Sequence, residues 1–251
     1  MKAMILAAGL GTRLRPLTDD RPKALVEING RALLEIALTR LRTFGIHDVI
    51  INVHHFADMV VDYLKKNGNF GMRIEISRED VLLDTGGGLK KAAWFFKDSP
   101  GHSGKEAPFI LHNVDVLSTI DLERMRQLHC ETQALATLAV QDRETSRYLL
   151  FDERHELCGR RAGRNHPPEL VRPAQQAQPW AFSGIHVISP RLFSLMTEDG
   201  VFSIVASYLR LAAQGEKILA FRADQYYWRD LGGPENLAQA AEDLKQKVIT
   251  Q

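Results

Sequence analysis

Cysteine is scarce in this chain. Cys130 and Cys158 are the only two among 251 residues, far apart and without a Cys-x-x-Cys spacing. That excludes a disulfide-stapled scaffold; the two read as reduced thiols of a cytoplasmic protein. Excess charge of one sign is missing too: the formal net charge is +1. No global field would draw in nucleic acid or a membrane surface, so any attraction for phosphate must be local. No apolar run reaches membrane-spanning length. The run Ala3–Ala8 behind Lys2 is too short for a secretory leader, and Arg13 and Arg15 follow at once. No short repeat follows the last expected helix, so an appended C-terminal β-helix is not expected. With 45% hydrophobic residues, the chain can build one large domain or one domain with a small appendage.

What is present is concentrated near the start. An apolar strand runs into Ala7-Ala8-Gly9-Leu10-Gly11-Thr12-Arg13-Leu14-Arg15-Pro16-Leu17-Thr18, then Arg21-Pro22-Lys23. Gly9 and Gly11 let backbone amides approach a polyphosphate. Thr12 adds a hydroxyl, and Arg13, Arg15 and Lys23 bring positive charge. A dinucleotide fingerprint wants a small residue three places after the second glycine, where this chain has Leu14. A P-loop needs Gly-Lys-Ser/Thr opening a helix, whereas Pro16 and Pro22 keep this loop irregular. The bland reading, a glycine turn with solvated basic residues, requires glycines, cations and prolines to coincide by chance.

The first half alternates strand and helix patterns. Strands are expected at Lys2–Ala7, Asp48–Val53, Met72–Ile76 and Pro108–His112. Helices are expected at Ala32–Phe44, around Phe56–Leu64, and at Gly88–Phe96. Such alternation implies a mainly parallel sheet with helices on both faces and a ligand at the strands' carboxyl ends. In the second half, helices are expected at Asp121–His129, Val201–Ala213 and Pro234–Lys247, and a strand at Ala134–Val140. Shorter strands are expected across 147–188. Residues 160–179 hold four prolines and read as a long surface loop or a disordered insertion.

The early stretch resembles the signature of sugar-1-phosphate nucleotidyltransferases, Ala-Ala-Gly-x-Gly-Thr-Arg-x-x-Pro-Leu-Thr followed by Pro-Lys. The match covers residues 6–23 without a gap. Within the family the look is of the short bacterial forms, such as the N-acetylmuramate-1-phosphate uridylyltransferases and the mannose- and heptose-1-phosphate guanylyltransferases. The resemblance implies a Rossmann-like, GT-A-like α/β fold. It implies a single domain over 1–251, with a nucleotide half to about residue 130 and a sugar-phosphate half from about 131. The implied substrates are a nucleoside triphosphate, UTP or GTP, and a sugar 1-phosphate. The implied cofactor is Mg²⁺ and the implied assembly a monomer or homodimer.

The resemblance also assigns residues. Asp115, in Asn113-Val114-Asp115, and Asp230, in Trp228-Arg229-Asp230-Leu231-Gly232-Gly233, match the two metal-binding aspartates. Val114 stands where the family has glycine, and Gly233 where it has a hydroxyl residue. Arg13 would hold departing pyrophosphate, and Lys23 the α-phosphate and the incoming phosphate. Together with Asp115, these two form the implied catalytic set. Ala8, Gly9, Gly11, Thr12, Glu79, Thr85 and Gly86 would complete the nucleotide site, the last two in Leu83-Asp84-Thr85-Gly86-Gly87-Gly88. Glu79 stands where relatives carry a base-reading glutamine. Asn113, Arg172, Ser183 and Gly184 would meet the sugar phosphate, Arg172 replacing the lysine of a Glu-Lys-Pro element. Trp180 and Trp228 read as core residues ahead of a sugar platform, and His54-His55 as surface residues at a helix start. A catalytically silent relative that binds nucleotide sugar and regulates a partner is the alternative. Retention of Arg13, Lys23, Asp115 and Asp230 together argues against it.

Overall fold

The computed structural model describes residues 1–97 and 107–246. The N-terminal half begins with strand β1 (Lys2–Leu6) and a small hairpin, β2 (Glu27–Ile28) and β3 (Arg31–Ala32). It continues through α1 (Leu33–Thr43), β4 (Asp48–Val53), α2 (Ala57–Lys66), β5 (Arg73–Arg78) and α3 (Asp84–Lys91). Next come β6 (Phe109–Asn113), β7 (Val116–Ser118) and α4 (Leu122–Thr132), capped by the Asp121 carboxylate on two backbone amides. The second half holds β8 (Ala136–Gln141), β9 (Tyr148–Phe151), β10 (Leu157–Arg161), β11 (Glu169–Leu170) and β12 (Gln178–Ile188). It closes with α5 (Leu192–Leu195), α6 (Ile204–Ala213), β13 (Ile218–Arg222), β14 (Trp228–Asp230) and α7 (Pro234–Lys245). Lys247, the expected end of the last helix, lies outside the described residues.

Ten strands form one mixed sheet. Strands β5, β4, β1 and β6 are parallel neighbours, as the alternating pattern predicts. The long strand β12 then pairs antiparallel with β6, β8 and β9, joining the two halves of the chain. Period-two alternation divides the strand side chains between two cores. Ala3, Ile5, Val49 and Ile51 pack with Leu34, Leu38, Leu41, Val60 and Met125 of α1, α2 and α4. Met4, Ile50 and Leu111 pack with Leu89, Tyr208 and Leu211 of α3 and α6. Each buried Val, Leu, Ile or Met side chain among them contributes about 1.5–3 kcal/mol. Among the described residues, no helix is long and apolar enough to cross a membrane.

Two expectations are corrected here. Helix α3 starts at Asp84 rather than Gly88 and ends before Phe96, so the triple glycine lies inside the helix. Glycine costs about 1 kcal/mol in a helix interior, which is why the sequence reads as a loop there. Packing overrides the propensity. A Cβ on Gly86 would run into the Phe202 ring, and one on Gly87 into the Gly200 carbonyl. A Cβ on Gly88 would lie 2.6 Å from the Glu79 carboxylate. The second correction concerns residues 160–179, which are not one open loop. Arg160 pairs with Glu169 and Gly159 with Leu170 across β10 and β11, so the prolines at 167 and 168 sit in a hairpin connection.

Three histidines are buried without a carboxylate partner among the described residues. Burial pushes His112 and His129 down to about 4, and His186, beside His112, to about 3. His186 Nδ1 lies 2.9 Å from the Tyr208 hydroxyl and His129 Nδ1 lies 3.0 Å from Thr137 Oγ1. Each ring is neutral in the fold and gains a proton on unfolding below its ordinary value of about 6.5. The unfolded chain therefore binds more protons between about pH 4 and 6.5, and stability falls as pH drops through that window. The unfolding free energy from urea melts at pH 5 should lie below that at pH 7.5 by about 1–2 kcal/mol per histidine, with a correspondingly lower midpoint. His129→Gln should flatten the slope; a midpoint independent of pH would refute the account. Gly86→Ala should lose about 2 kcal/mol and about 5 °C in Tm, the clash outweighing the gain in helix propensity. Calorimetry showing a stabilised variant would reverse that ranking.

Candidate functional site

The carboxyl ends of β1, β4, β5 and β6 open into one cavity of about 380 Å³. Its rim is held by a chain of hydrogen bonds that begins where β1 ends. The Ala7 amide donates to Asn52 Oδ1 at 2.8 Å. Asn52 Nδ2 donates to Glu79 Oε1 at 2.7 Å, and Glu79 Oε2 accepts from the Leu83 amide at 2.9 Å. Asn52 and Glu79 are both buried. This network ties three strand ends to the start of α3, and its fully paired polar groups make it rigid.

The glycine- and arginine-rich loop leaves β1 beside that network. Gly11 adopts φ +67°, and a Cβ there would stand 3.0 Å from Lys23 Cβ and from Thr18 Cγ2. Both the left-handed backbone and the crowding require glycine. Thr18 Oγ1 donates to the Gly11 carbonyl at 3.0 Å, and Thr12–Leu14 form one 3-10 turn. Leu14, fully buried, anchors that turn in a third small core with Val26, Ile28, Leu33, Leu117, Leu231 and Ala240. The residue that argued against a dinucleotide fold is thus the floor of the loop. With Leu14 pinned, Arg13 projects outward, its side chain 67% exposed.

Lys23 opens a 3-10 turn directly after Pro22, and only 7% of the residue is exposed. Its ammonium forms an ion pair with the Asp115 carboxylate. Asp115 lies between β6 and β7, and its carbonyl accepts from the Leu231 amide at 2.7 Å. Strand β14 pairs antiparallel with β7, which sets Asp230 opposite Val116. Asp115 immediately precedes β7, so the two aspartates belong to the segments that this ribbon joins. Asp230 Oδ2 lies 3.7 Å from Arg13 Nη2, and Oδ1 accepts from the Gly232 amide at 2.6 Å. Any Cβ on Gly232 would collide with the Arg13 guanidinium, so this glycine lets Arg13 reach Asp230.

Carboxylates are the oxygen ligands that a hard divalent ion such as Mg²⁺ takes, and Asp115 and Asp230 are the two that could hold one. No cluster of three or more His, Cys, Asp or Glu at metal-binding geometry occurs among the described residues. The protein's share of an octahedron would be these two carboxylates, with phosphate oxygens and water supplying the rest.

The structure brings many of the expected residues together. Ala8, Gly9, Lys23, Glu79, Thr85, Asn113 and Asp115 line the cavity, with Leu82 and Val201. Gly11, Thr12, Arg13 and Asp230 stand in the adjoining loop and ribbon. Gly184, at φ +73° in the irregular middle of β12, leaves room for Asn113, whose Nδ2 would lie 2.7 Å from a Cβ there. Ser183 is buried behind it, and its carbonyl accepts from Trp228 Nε1 at 2.7 Å.

Two assigned residues fall elsewhere. The Gly86 amide donates to the Phe202 carbonyl at 2.9 Å, so it is spent on helix packing rather than free for a nucleotide. Arg172 donates to Asp152 Oδ2 at 2.8 Å and to the Leu157 carbonyl at 2.8 Å, with Glu156 also in reach. Its charge is already neutralised, away from the cavity walls. Trp180 is buried and stacked on Phe151, as a core residue. Trp228 is only half-buried, and its indole serves β12. His54 does not face solvent freely: Nδ1 lies 2.8 Å from the Glu79 carbonyl.

Sequence reasoning missed Asn52 and Arg143. Asn52 carried a signal, a lone amide in the otherwise apolar stretch Val49–Val53. Arg143, between β8 and β9, belongs to no motif. Its guanidinium stacks 3.7 Å from the Trp228 ring centroid and donates to the Phe182 carbonyl at 2.7 Å.

Comparison with known proteins agrees with this geometry. The family model described as nucleotidyl transferase matches residues 2–156. The N-acetylmuramate alpha-1-phosphate uridylyltransferase of Caulobacter vibrioides is 35% identical over 243 residues, covering 93% of this chain and 92% of that protein. A mannose-1-phosphate guanyltransferase of Yarrowia lipolytica is 28% identical over 94% of this chain, which spans 62% of that protein. A solved UDP-glucose pyrophosphorylase complexed with UDP-glucose superposes with a TM-score of 0.77 over 98% of both chains, at 19% identity, a likeness of fold alone. With a family match over more than half its length and a relative aligned nearly end to end, the chain belongs to the nucleotidyl transferase family of enzymes.

Proposed function

We propose that the protein transfers a nucleotidyl group from UTP or GTP to a sugar 1-phosphate, with Mg²⁺, giving a nucleotide sugar and pyrophosphate. One observation carries this reading: the Lys23–Asp115 ion pair in the wall of the cavity at the strands' carboxyl ends. The sugar-phosphate oxygen attacks the α-phosphorus, and the bond to the β-phosphate oxygen breaks in line. A phosphate monoester is already anionic near neutral pH, so no general base is needed. Catalysis then reduces to positioning and charge neutralisation. Lys23 holds the α-phosphate and the incoming phosphate oxygen. Arg13 and the amides of the Gly9–Thr12 turn take the departing pyrophosphate. Asp115 and Asp230 would hold Mg²⁺, which when bound offsets negative charge building on the phosphate oxygens.

The base would lie against Ala8, Gly9, Glu79 and Thr85. Glu79 already accepts one hydrogen bond at each oxygen, and a carboxylate has further acceptor capacity. It can meet the N–H donors of uracil or guanine, whereas cytosine N3 presents an acceptor. The Caulobacter relative's name supports UTP first, and the Yarrowia relative's supports GTP second. Asn113, Ser183 and Gly184 would border the sugar phosphate.

The direct test is pyrophosphate release from purified protein with four NTPs and a panel of sugar 1-phosphates, with and without Mg²⁺. Release should require both substrates and the metal, with UTP or GTP best and CTP poor. Nucleotide binding without turnover across the panel would instead support the regulatory alternative. Asp115→Asn and Asp230→Asn should each lower kcat at least about a hundredfold with circular dichroism unchanged, a loss of roughly 3 kcal/mol in transition-state stabilisation. Lys23→Ala should cost a similar factor. Near-normal turnover of Asp230→Asn at limiting Mg²⁺ would remove that residue from the site.

A further inference from the structure

The charge inventory around the site leaves one cation over. Lys23 pairs with Asp115, and Arg13 faces Asp230. Arg172, the residue expected to meet the sugar phosphate, is neutralised by Asp152 and Glu156. Arg143 differs from all of them. Its protein contacts are the Trp228 face and the Phe182 carbonyl. Its Nε is buried and has no hydrogen-bond partner among the described residues. No carboxylate there forms an ion pair with it, although the charge of Asp230 is near enough to act on it. Burial pushes its guanidinium below the ordinary value. A desolvated cation with unused donors is costly unless an anion completes it.

Its position indicates which anion. Trp228 and Asp230 are alternate residues of β14 and share a face of that strand. The guanidinium stacked on Trp228 therefore lies along the ribbon that carries Asp230. The same Trp228 holds the Ser183 carbonyl, and Arg143 holds the Phe182 carbonyl. Both grip the segment of β12 whose Gly184 backs Asn113 in the cavity wall. Stacking and one main-chain bond leave a planar donor fork oriented before any ligand arrives.

We propose that Arg143 receives the phosphate of the sugar 1-phosphate, with Trp228 fixing the guanidinium plane, and that Arg172 has no part in that contact. The buried Nε and the Phe182 bond fix the plane of the guanidinium, whose outer N–H donors are the ones a phosphate oxygen would meet. Held beside Asp230, the guanidinium orients the attacking phosphate without contacting the nucleotide base. This inference rests on the transfer reading above and assigns a residue of this chain to one half of it.

The test separates the substrates. Arg143→Ala and Arg143→Gln should raise KM for the sugar 1-phosphate about tenfold to a hundredfold. KM for the NTP should change less than about twofold, and Tm should stay close to wild type. Arg172→Lys should leave both KM values unchanged. A second arm needs no turnover: calorimetric binding of inorganic phosphate and of glucose 1-phosphate to the nucleotide-loaded protein should weaken in both Arg143 variants. Unchanged sugar-phosphate KM and binding, an equal rise in both KM values, or a sugar-phosphate defect in Arg172→Lys would each overturn the assignment. So would competition by glucuronate but not by inorganic phosphate, which would assign Arg143 to a sugar carboxylate. If wild-type protein binds glucose 1-phosphate yet releases no pyrophosphate, the transfer reading fails alone, and the binding arm decides on Arg143.

Discussion

The ion pair between Lys23 and Asp115 is the contact around which the rest of the site is organised. Taking an ammonium and a carboxylate largely out of water is expensive, and such a pair rarely stabilises a fold more than well-packed apolar residues would. Its geometry is nevertheless defended from several directions. Pro22 sets the start of the turn that carries Lys23. Gly11 leaves room for the lysine stem. The Leu231 amide holds the Asp115 backbone from the opposite strand. A pair kept at this cost, in the wall of a cavity, marks a candidate functional position rather than a stabilising one.

The parallel frame was readable because period-two apolar strands and 3.6-period helices leave distinct imprints. The phosphate loop was readable because glycine, arginine and proline at fixed offsets have few other uses. The misreadings share a physical cause. Gly86 to Gly88 have poor helix propensity, and only close neighbours such as Phe202 and Gly200 make a helix acceptable there. Arg172 matched by position, but neighbours in space had already claimed its charge. Arg143 went unseen because its significance comes from Trp228, a residue far along the chain. Local propensity and motif spacing cannot report contacts between distant segments, and the surroundings of Asp230 and Gly184 are built from such contacts.

The architecture explains how one cavity draws on both halves of the chain. The parallel strands supply the nucleotide loop, Asn52 and Asp115. Strand β12 then runs antiparallel beside β6 and brings the Phe182–Gly184 segment against Asn113. The β7–β14 ribbon does the same for Asp230. Glu79, Asp84 and Asp115 line the cavity from the first half, and Asp230 is held on the ribbon by the second.

The floor beneath Leu14 has a consequence for the order in which the protein matures. The glycine- and arginine-rich loop is synthesised well before its supports Leu231 and Ala240. Domains fold as synthesis proceeds, at about 5–20 residues per second. Through that interval the loop has its sequence but not its foundation. Order in the loop would therefore arrive late and abruptly, when the Leu231–Ala240 segment docks beneath it.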